Sequence, residues 1–336
     1  MKPQIEDIFE QALAWRKAGH GVALATVVKT WGSSPRPVGS QLVINDRGAF
    51  AGSVSGGCIE TFVVSEAIDV IEEGEPQDLE YGVTNEQASE VRLACGGTIR
   101  VFVERAPEQA ELEKMVHGQP FARVVDMSTG IATLVGDKGP EGELSLPPDI
   151  LTDVLGRLER DASGLLRSGN TELFVSIYAP PRKLIIIGAV HIAQALAPMA
   201  AAVGFAVSVI DPRPLFATQE RLQGVTIITE HVGKAMAGLV LDRRTALVAL
   251  GHDPILDDPA LKAALASTAY YIGCLGSRKT HGERLQRLLA AGFVGDELTR
   301  LNGPIGLDIG GRSPGEIAVS ILAEIIAIGN GKDTGT

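Results

Sequence analysis

Apolar positions along this chain follow two periods, near 3.6 and near 2, and the way the two alternate divides it. An opening helix is expected from Ile5 to Ala18, closed by Gly19. Strands are expected at Val22 to Val28, Gln41 to Ile44 and Ala49 to Val54, and later at Ala122 to Met127, Ile131 to Val135 and Leu173 to Tyr178. Between these groups, Ile59, Phe62, Val63, Ala67, Val70 and Ile71 recur at helical spacing. From Thr98 to Val103 the residues Ile99, Val101 and Val103 alternate with Arg100, Phe102 and Glu104, as in a strand. The stretch Lys138 to Pro148, rich in Gly, Pro and Glu, reads as a surface loop.

The texture changes at Pro180 and Pro181. Beyond them, strands at Lys183 to Ile187, Phe205 to Ile210, Val225 to Thr229, Thr245 to Leu250 and Tyr270 to Ile272 are mostly followed by amphipathic helices. That alternation implies a doubly wound parallel sheet. The last helix carries its own start signal, with Ser313 as N-cap, Pro314 at the first position and Glu316 completing a capping box. The expected fold is α/β: a mixed α+β domain over residues 1–178, a Pro-rich linker over 179–182, and a Rossmann-like domain over 183–330. Leu184 to Ile210 lacks Asp, Glu, Lys and Arg and has the length of a membrane span, but Gly188, Pro198 and Gly204 break it into strand, helix and strand. A buried β-α-β unit is the better reading, and no membrane span is expected.

Composition narrows the class. With 336 residues and 45% apolar content the chain can build two real cores. Three cysteines, an acidic N-terminus and no disulfide spacing point to the reducing cytoplasm. A net charge of −11 repels nucleic acid, so any anion must be bound locally.

The candidate chemistry begins with two glycine-flanked cysteines. Cys58 follows Gly56 and Gly57 at an expected helix N-terminus, where the dipole favours thiolate and bound anions. Cys95 precedes Gly96 and Gly97 in a turn before the Thr98 strand, and the two turns could meet at one site. The alternative is that both are small buried hydrophobes. Zinc fits poorly, because neither Cys274 nor the six histidines supply paired-ligand spacing. In the loop Gly32 to Gly39, Ser33, Ser34 and Arg36 are placed to hold an anion, with a purely structural turn as the alternative.

Three more groups lie in the second half. The turn Gly188 to Ala193 resembles a dinucleotide fingerprint in which Val190 replaces the middle glycine, so close approach of a pyrophosphate is hindered and NAD(P) binding weakened. His191 opens the following helix, and Asp211, 23 positions after Gly188, stands where an acid bonds a ribose hydroxyl or merely ends a turn. His252 beside Asp253 is open between acid–base machinery and a structural histidine. At the last site, Gly276 and Ser277 free backbone N–H groups at a helix start while Arg278, Lys279 and His281 concentrate positive charge, which suits a phosphate.

The strings TVVKTWGSSPRPVGSQLVI, GSVSGGCIE, CGGTIRVFVE, GAVHIAQALA, ALGHDP, YIGCLGSRKTH and GPIGLDIGGRSPGEIAVSILAEI occur in this order and together resemble the XdhC/CoxI family, over nearly the whole chain. The resemblance implies an N-terminal XdhC/CoxI domain followed by a Rossmann-like domain. It also implies an accessory protein, more a maturation chaperone than an enzyme. Such a chaperone binds molybdenum cofactor (molybdopterin or its cytosine dinucleotide), protects it during sulfuration by a cysteine desulfurase, and helps insert it into a molybdenum hydroxylase apoenzyme of the xanthine dehydrogenase type. Under that reading Cys58 and Cys95 are molybdenum contacts or a sulfur relay, and the anion-binding groups above hold the cofactor. The family commonly has glycine where this chain has Val190. A homodimer is one assembly open to such a protein. The rival reading, from Gly188 and Asp211, is an NAD(P)-dependent oxidoreductase, and a third is a silent scaffold between desulfurase and client.

Overall fold

A computed structural model describes residues 4–32, 36–83, 97–117, 119–251 and 253–333. Ser33, Ser34, Cys95, Gly96 and His252 lie outside these residues. The chain divides into two compact units, Met1–Pro180 and Pro181–Thr336.

The first unit holds two antiparallel sheets. Helix α1 (Gln4–Lys17) leads into strands β1 (Val22–Gly32), β2 (Gln41–Asn45) and β3 (Phe50–Gly52), then helix α2 (Glu60–Glu73), β4 (Gln77–Val83) and β5 (Gly97–Arg105). These strands form a sheet in the order β3-β2-β1-β5-β4. After α3 (Gln109–His117), the strands β6 (Phe121–Asp126), β7 (Ala132–Gly136) and β8 (Gly139–Gly142), helix α4 (Pro148–Arg160), and β9 (Gly164–Ser168) and β10 (Thr171–Tyr178) complete a second sheet ordered β8-β7-β6-β10-β9.

Strand β5 forms where its alternation predicts and packs on both faces. Ile99, Val101 and Val103 pack with Val63, Ala67 and Val70 of α2, while Phe102, facing the other way, packs with Val125 and Phe174 of the second sheet. Both faces are buried, so the polar residues on the second face are answered by ions. Glu104 accepts from both Nη atoms of Arg123 at 2.6 and 2.9 Å, and Arg100 binds Asp78 and Glu172. Part of the expected loop at Lys138 to Pro148 is instead the edge strand β8, registered on β7 from Gly142 opposite Thr133 to Gly139 opposite Gly136. Its mostly exposed residues carry no apolar alternation, because an edge strand is held by backbone pairing alone.

The second unit is built from parallel strands. It runs β11 (Lys183–Ile187), α5 (His191–Ala202), β12 (Ala206–Ile210), β13 (Thr226–Ile228), α6 (Val232–Ala237), β14 (Thr245–Ala249), α7 (Pro254–Leu265), β15 (Tyr271–Cys274), α8 (Arg278–Ala290), α9 (Gly295–Leu298), β16 (Leu301–Asn302) and α10 (Pro314–Gly329). The parallel sheet is ordered β13-β12-β11-β14-β15-β16, so the order reverses between β11 and β14. Alternate residues of β11 serve opposite cores: Leu184 and Ile186 face α5 and α10, and Ile185 and Ile187 face α6 and α7. Burial on both faces explains the unbroken apolar run that hydropathy alone would assign to a membrane. No helix among the described residues is long and apolar enough to cross one. The start of α10 forms as its residues dictate: Ser313 Oγ accepts from Glu316 N, and Glu316 Oε2 accepts from Ser313 N at 2.9 Å.

Candidate functional site

In the first unit the cysteine loop is wound around a carboxylate. Glu60, the first residue of α2, is 6% exposed and accepts hydrogen bonds from Ser53 Oγ (2.8 Å), Val54 N (3.2 Å), Ser55 N (2.9 Å), Gly57 N (2.9 Å) and Ser55 Oγ. Ser55 Oγ in turn accepts from Cys58 N and Ile59 N, each at 3.0 Å, and Gly56 N donates to Ser53 Oγ. Gly56 and Gly57 adopt φ of 77° and 109°, which side chains disfavour, and so let the backbone turn inward on Glu60. Burial alone would raise the Glu60 carboxyl, but the hydrogen bonds from Ser55 and Ser53 outweigh it and hold the group at about 2. Cys58 stands exposed on this braced loop, two residues before the helix begins. The expectation of a free anion-binding helix end at Cys58 is therefore corrected: the loop's N–H groups are already spent on Glu60 and the serine hydroxyls.

The neighbourhood of that loop is partly apolar. Phe62, 64% exposed in the first turn of α2, stands 6.5 Å from the Tyr81 ring, and Tyr81 pairs with Ile99 near the start of β5. The helix's first turn and the start of β5 at Gly97 thus lie toward one end of the sheet, where Gly97 pairs with Gly32 and Val83. Arg36 is half-buried.

In the second unit the strand ends bring Gly188, Asp211, Gly251 and the Gly273 to Lys279 turn to one edge of the parallel sheet. A Cβ built on Gly188 would stand 3.6 Å from Gly251 N, so the two turns flanking the switch point are close. Val190 caps α5 half-buried against the core, and His191 is exposed at the helix start. Asp211 does not offer a ribose its carboxylate. It is 0% exposed; Oδ1 accepts from Arg213 N and Nε (both 2.9 Å), and Oδ2 from Ala189 N (2.8 Å) and Arg213 Nη2 (2.6 Å). Burial raises its pKa, yet the Arg213 and Ala189 bonds prevail and hold it below the ordinary value. The ribose role expected of Asp211 is corrected to that of a clamp between the first turn and the loop after β12.

At the start of α8, Ser277 is the N-cap and its Oγ accepts from Thr280 N at 3.2 Å. Arg278 and Lys279 are exposed. His281 is disfavoured as a cation there: burial, then the nearby Arg284, lowers its pKa, against the positive charge expected of it. Arg284 escapes the sequence reading, since an arginine in a helix reads as surface. It is 1% exposed and donates from Nη2 to Leu275 O at 2.9 Å. Beside it Cys274 is buried, and burial pushes its thiol up to about 12, so it stays neutral. Asp253 caps α7 by accepting from Ile255 N at 2.9 Å.

Known proteins share both units. Residues 15–82 match the XdhC and CoxI family, and residues 184–325 match the XdhC Rossmann domain. The molybdenum cofactor insertion chaperone PaoD of Escherichia coli is 29% identical over 312 residues, 93% of this chain and 84% of PaoD. A probable xanthine dehydrogenase subunit from Bacillus subtilis is 27% identical over 315 residues, 90% of this chain and 92% of its own. A crystal structure described as a xanthine dehydrogenase from Bacillus halodurans covers 99% of this chain and 98% of its own at a TM-score of 0.66 and 25% identity. With both its halves matched in order, the chain belongs to the XdhC and CoxI family.

Proposed function

We propose that this protein is a molybdenum cofactor insertion chaperone for a xanthine dehydrogenase-type enzyme. The observation that carries the reading is the similarity to PaoD, a named insertion chaperone, along 93% of the chain and so through both units. In the finer reading the cargo is molybdopterin-based cofactor or its cytosine dinucleotide. The chaperone shields it in the cytoplasm while an oxo ligand is exchanged for sulfide delivered by a cysteine desulfurase, then hands it to the apoenzyme. Cys58 fits the part of a soft donor, because an exposed sulfur on a loop braced by Glu60 can meet a metal without reorganising. Cys95 is proposed beside it, and Ser33, Ser34, Arg36 and the start of α8 are proposed to hold anionic groups of the cargo. The oxidoreductase reading is weakened by Val190 and by an Asp211 carboxylate that is already saturated.

The test is cofactor retention. Protein purified from cells making the cofactor should carry molybdenum and pterin fluorescence, and Cys58→Ser should lower both while leaving the circular dichroism spectrum unchanged, since the exchange removes a soft donor with little volume change. Reconstitution of apo-xanthine dehydrogenase should fall in parallel, and gel filtration of the same samples reads whether two copies act together. Parent protein that carries no molybdenum and activates no apoenzyme would overturn the reading.

A further inference from the structure

We infer that the start of α8 is a seat for a phosphate group and that Arg284 is the buried cation beneath it. Strand β15 leaves the sheet at Cys274, Gly276 turns with φ 144°, and Ser277 caps the helix. The cap answers Thr280 N, and Ser277 O answers His281 N at 2.9 Å, while Arg278 and Lys279 begin the helix with no intrahelical carbonyl four positions back. A helix start alone would not make a site.

Arg284 is the second observation. Long side chains on a helix run back over the turn before their own Cα, and here Nη2 reaches Leu275 O, two residues before the cap, at 2.9 Å. Its Nε and Nη1 are buried and have no hydrogen-bond partner among the described residues. Asp257 supplies charge from beyond hydrogen-bond reach, with Oδ2 3.8 Å from Nη2. Neither near neighbour fills the gap: the Cys274 thiol is a neutral, weak acceptor, and His281 Nδ1 is itself buried without a partner among the described residues. Buried donors left unmade are costly, and an oxyanion is the acceptor that would satisfy a guanidinium while drawing on the free N–H groups and on Arg278 and Lys279.

The inference deepens the cofactor-binding proposal and rests on it only for what brings the phosphate, a pterin phosphate or a nucleotide. Calorimetric titration with inorganic phosphate tests the seat itself. The parent should bind saturably; Arg284→Met, which keeps volume and loses charge, should bind about tenfold or more weakly, and Arg284→Lys should recover most of the loss. A folded Arg284→Met that binds as tightly as the parent, or a parent with no saturable binding up to roughly 10 mM, would overturn the seat. Hydrogen exchange of the parent serves if Arg284→Met does not fold: phosphate should slow exchange over residues 276–285, and protection only elsewhere sinks the idea. Competition separates the sources, since cofactor-loaded protein should refuse phosphate if the cargo brings the group, whereas NADP displaces it if a nucleotide does. A parent that carries cofactor when made in cells supplying it, yet whose cofactor-free form binds no phosphate, would defeat the seat and leave the chaperone reading standing. The converse result would do the reverse.

Discussion

A single carboxylate decides how the Cys58 loop behaves. Glu60 gathers five donors, three of them backbone N–H groups of residues 54, 55 and 57, so replacing it removes charge-assisted bonds and leaves buried donors unanswered. Glu60→Gln should cost roughly 2–4 kcal/mol by denaturant unfolding, with Cys58 becoming more mobile. The loss should depend on pH. The folded carboxyl, held at about 2 against an ordinary 4.5, binds protons less readily than the unfolded one, so its contribution is complete above pH 4.5 and fades as pH falls toward 2. Stability curves of parent and Glu60→Gln should therefore converge below pH 4.5; a gap that stays constant down to pH 2 would assign the effect to packing alone.

At the scale of elements, the turn from β11 into α5 bears on nucleotide binding in two places. Val190 stands half-buried at the N-cap of α5, and Asp211 is consumed by Arg213 and Ala189. Restoring glycine at Val190 alone should leave NAD affinity unchanged, because the ribose acceptor is still missing. Val190→Gly combined with Arg213→Ser frees two of the bonds on Asp211 and should bind NAD about tenfold more tightly than Val190→Gly. Calorimetric titration of the three proteins decides it, and a large gain from Val190→Gly by itself would mean that the clamp is no barrier.

Over the whole molecule, the two compact units meet in sequence at Pro180 and Pro181. We expect limited proteolysis to cut within residues 179–182 and to release two fragments that keep their own secondary structure, read by mass spectrometry and circular dichroism; fragments that unfold on cleavage would show that the units depend on each other. Much of the second unit was legible in the sequence. Strand β11 runs from Lys183 to Ile187 as read, and Ser313, Pro314 and Glu316 start α10 as read, because a strand buried on both faces and a capping box write their physics into adjacent residues. In the first unit β4, α3, α4 and β9 went unread: their residues are held by partners distant in sequence, as Gln77 to Val83 is by β5, and local pattern carries only part of that information. The same reason divides the sites. Sequence alone determined the glycine-flanked cysteine, the turn from Gly188 to Ala193 with Val190 in it and the basic helix start, since each is a local string. That Glu60 fills the cysteine loop, that Asp211 is a clamp and that Arg284 of α8 is buried was decided only by tertiary structure, because burial and hydrogen-bond partnership are properties of what surrounds a residue and not of the residue itself.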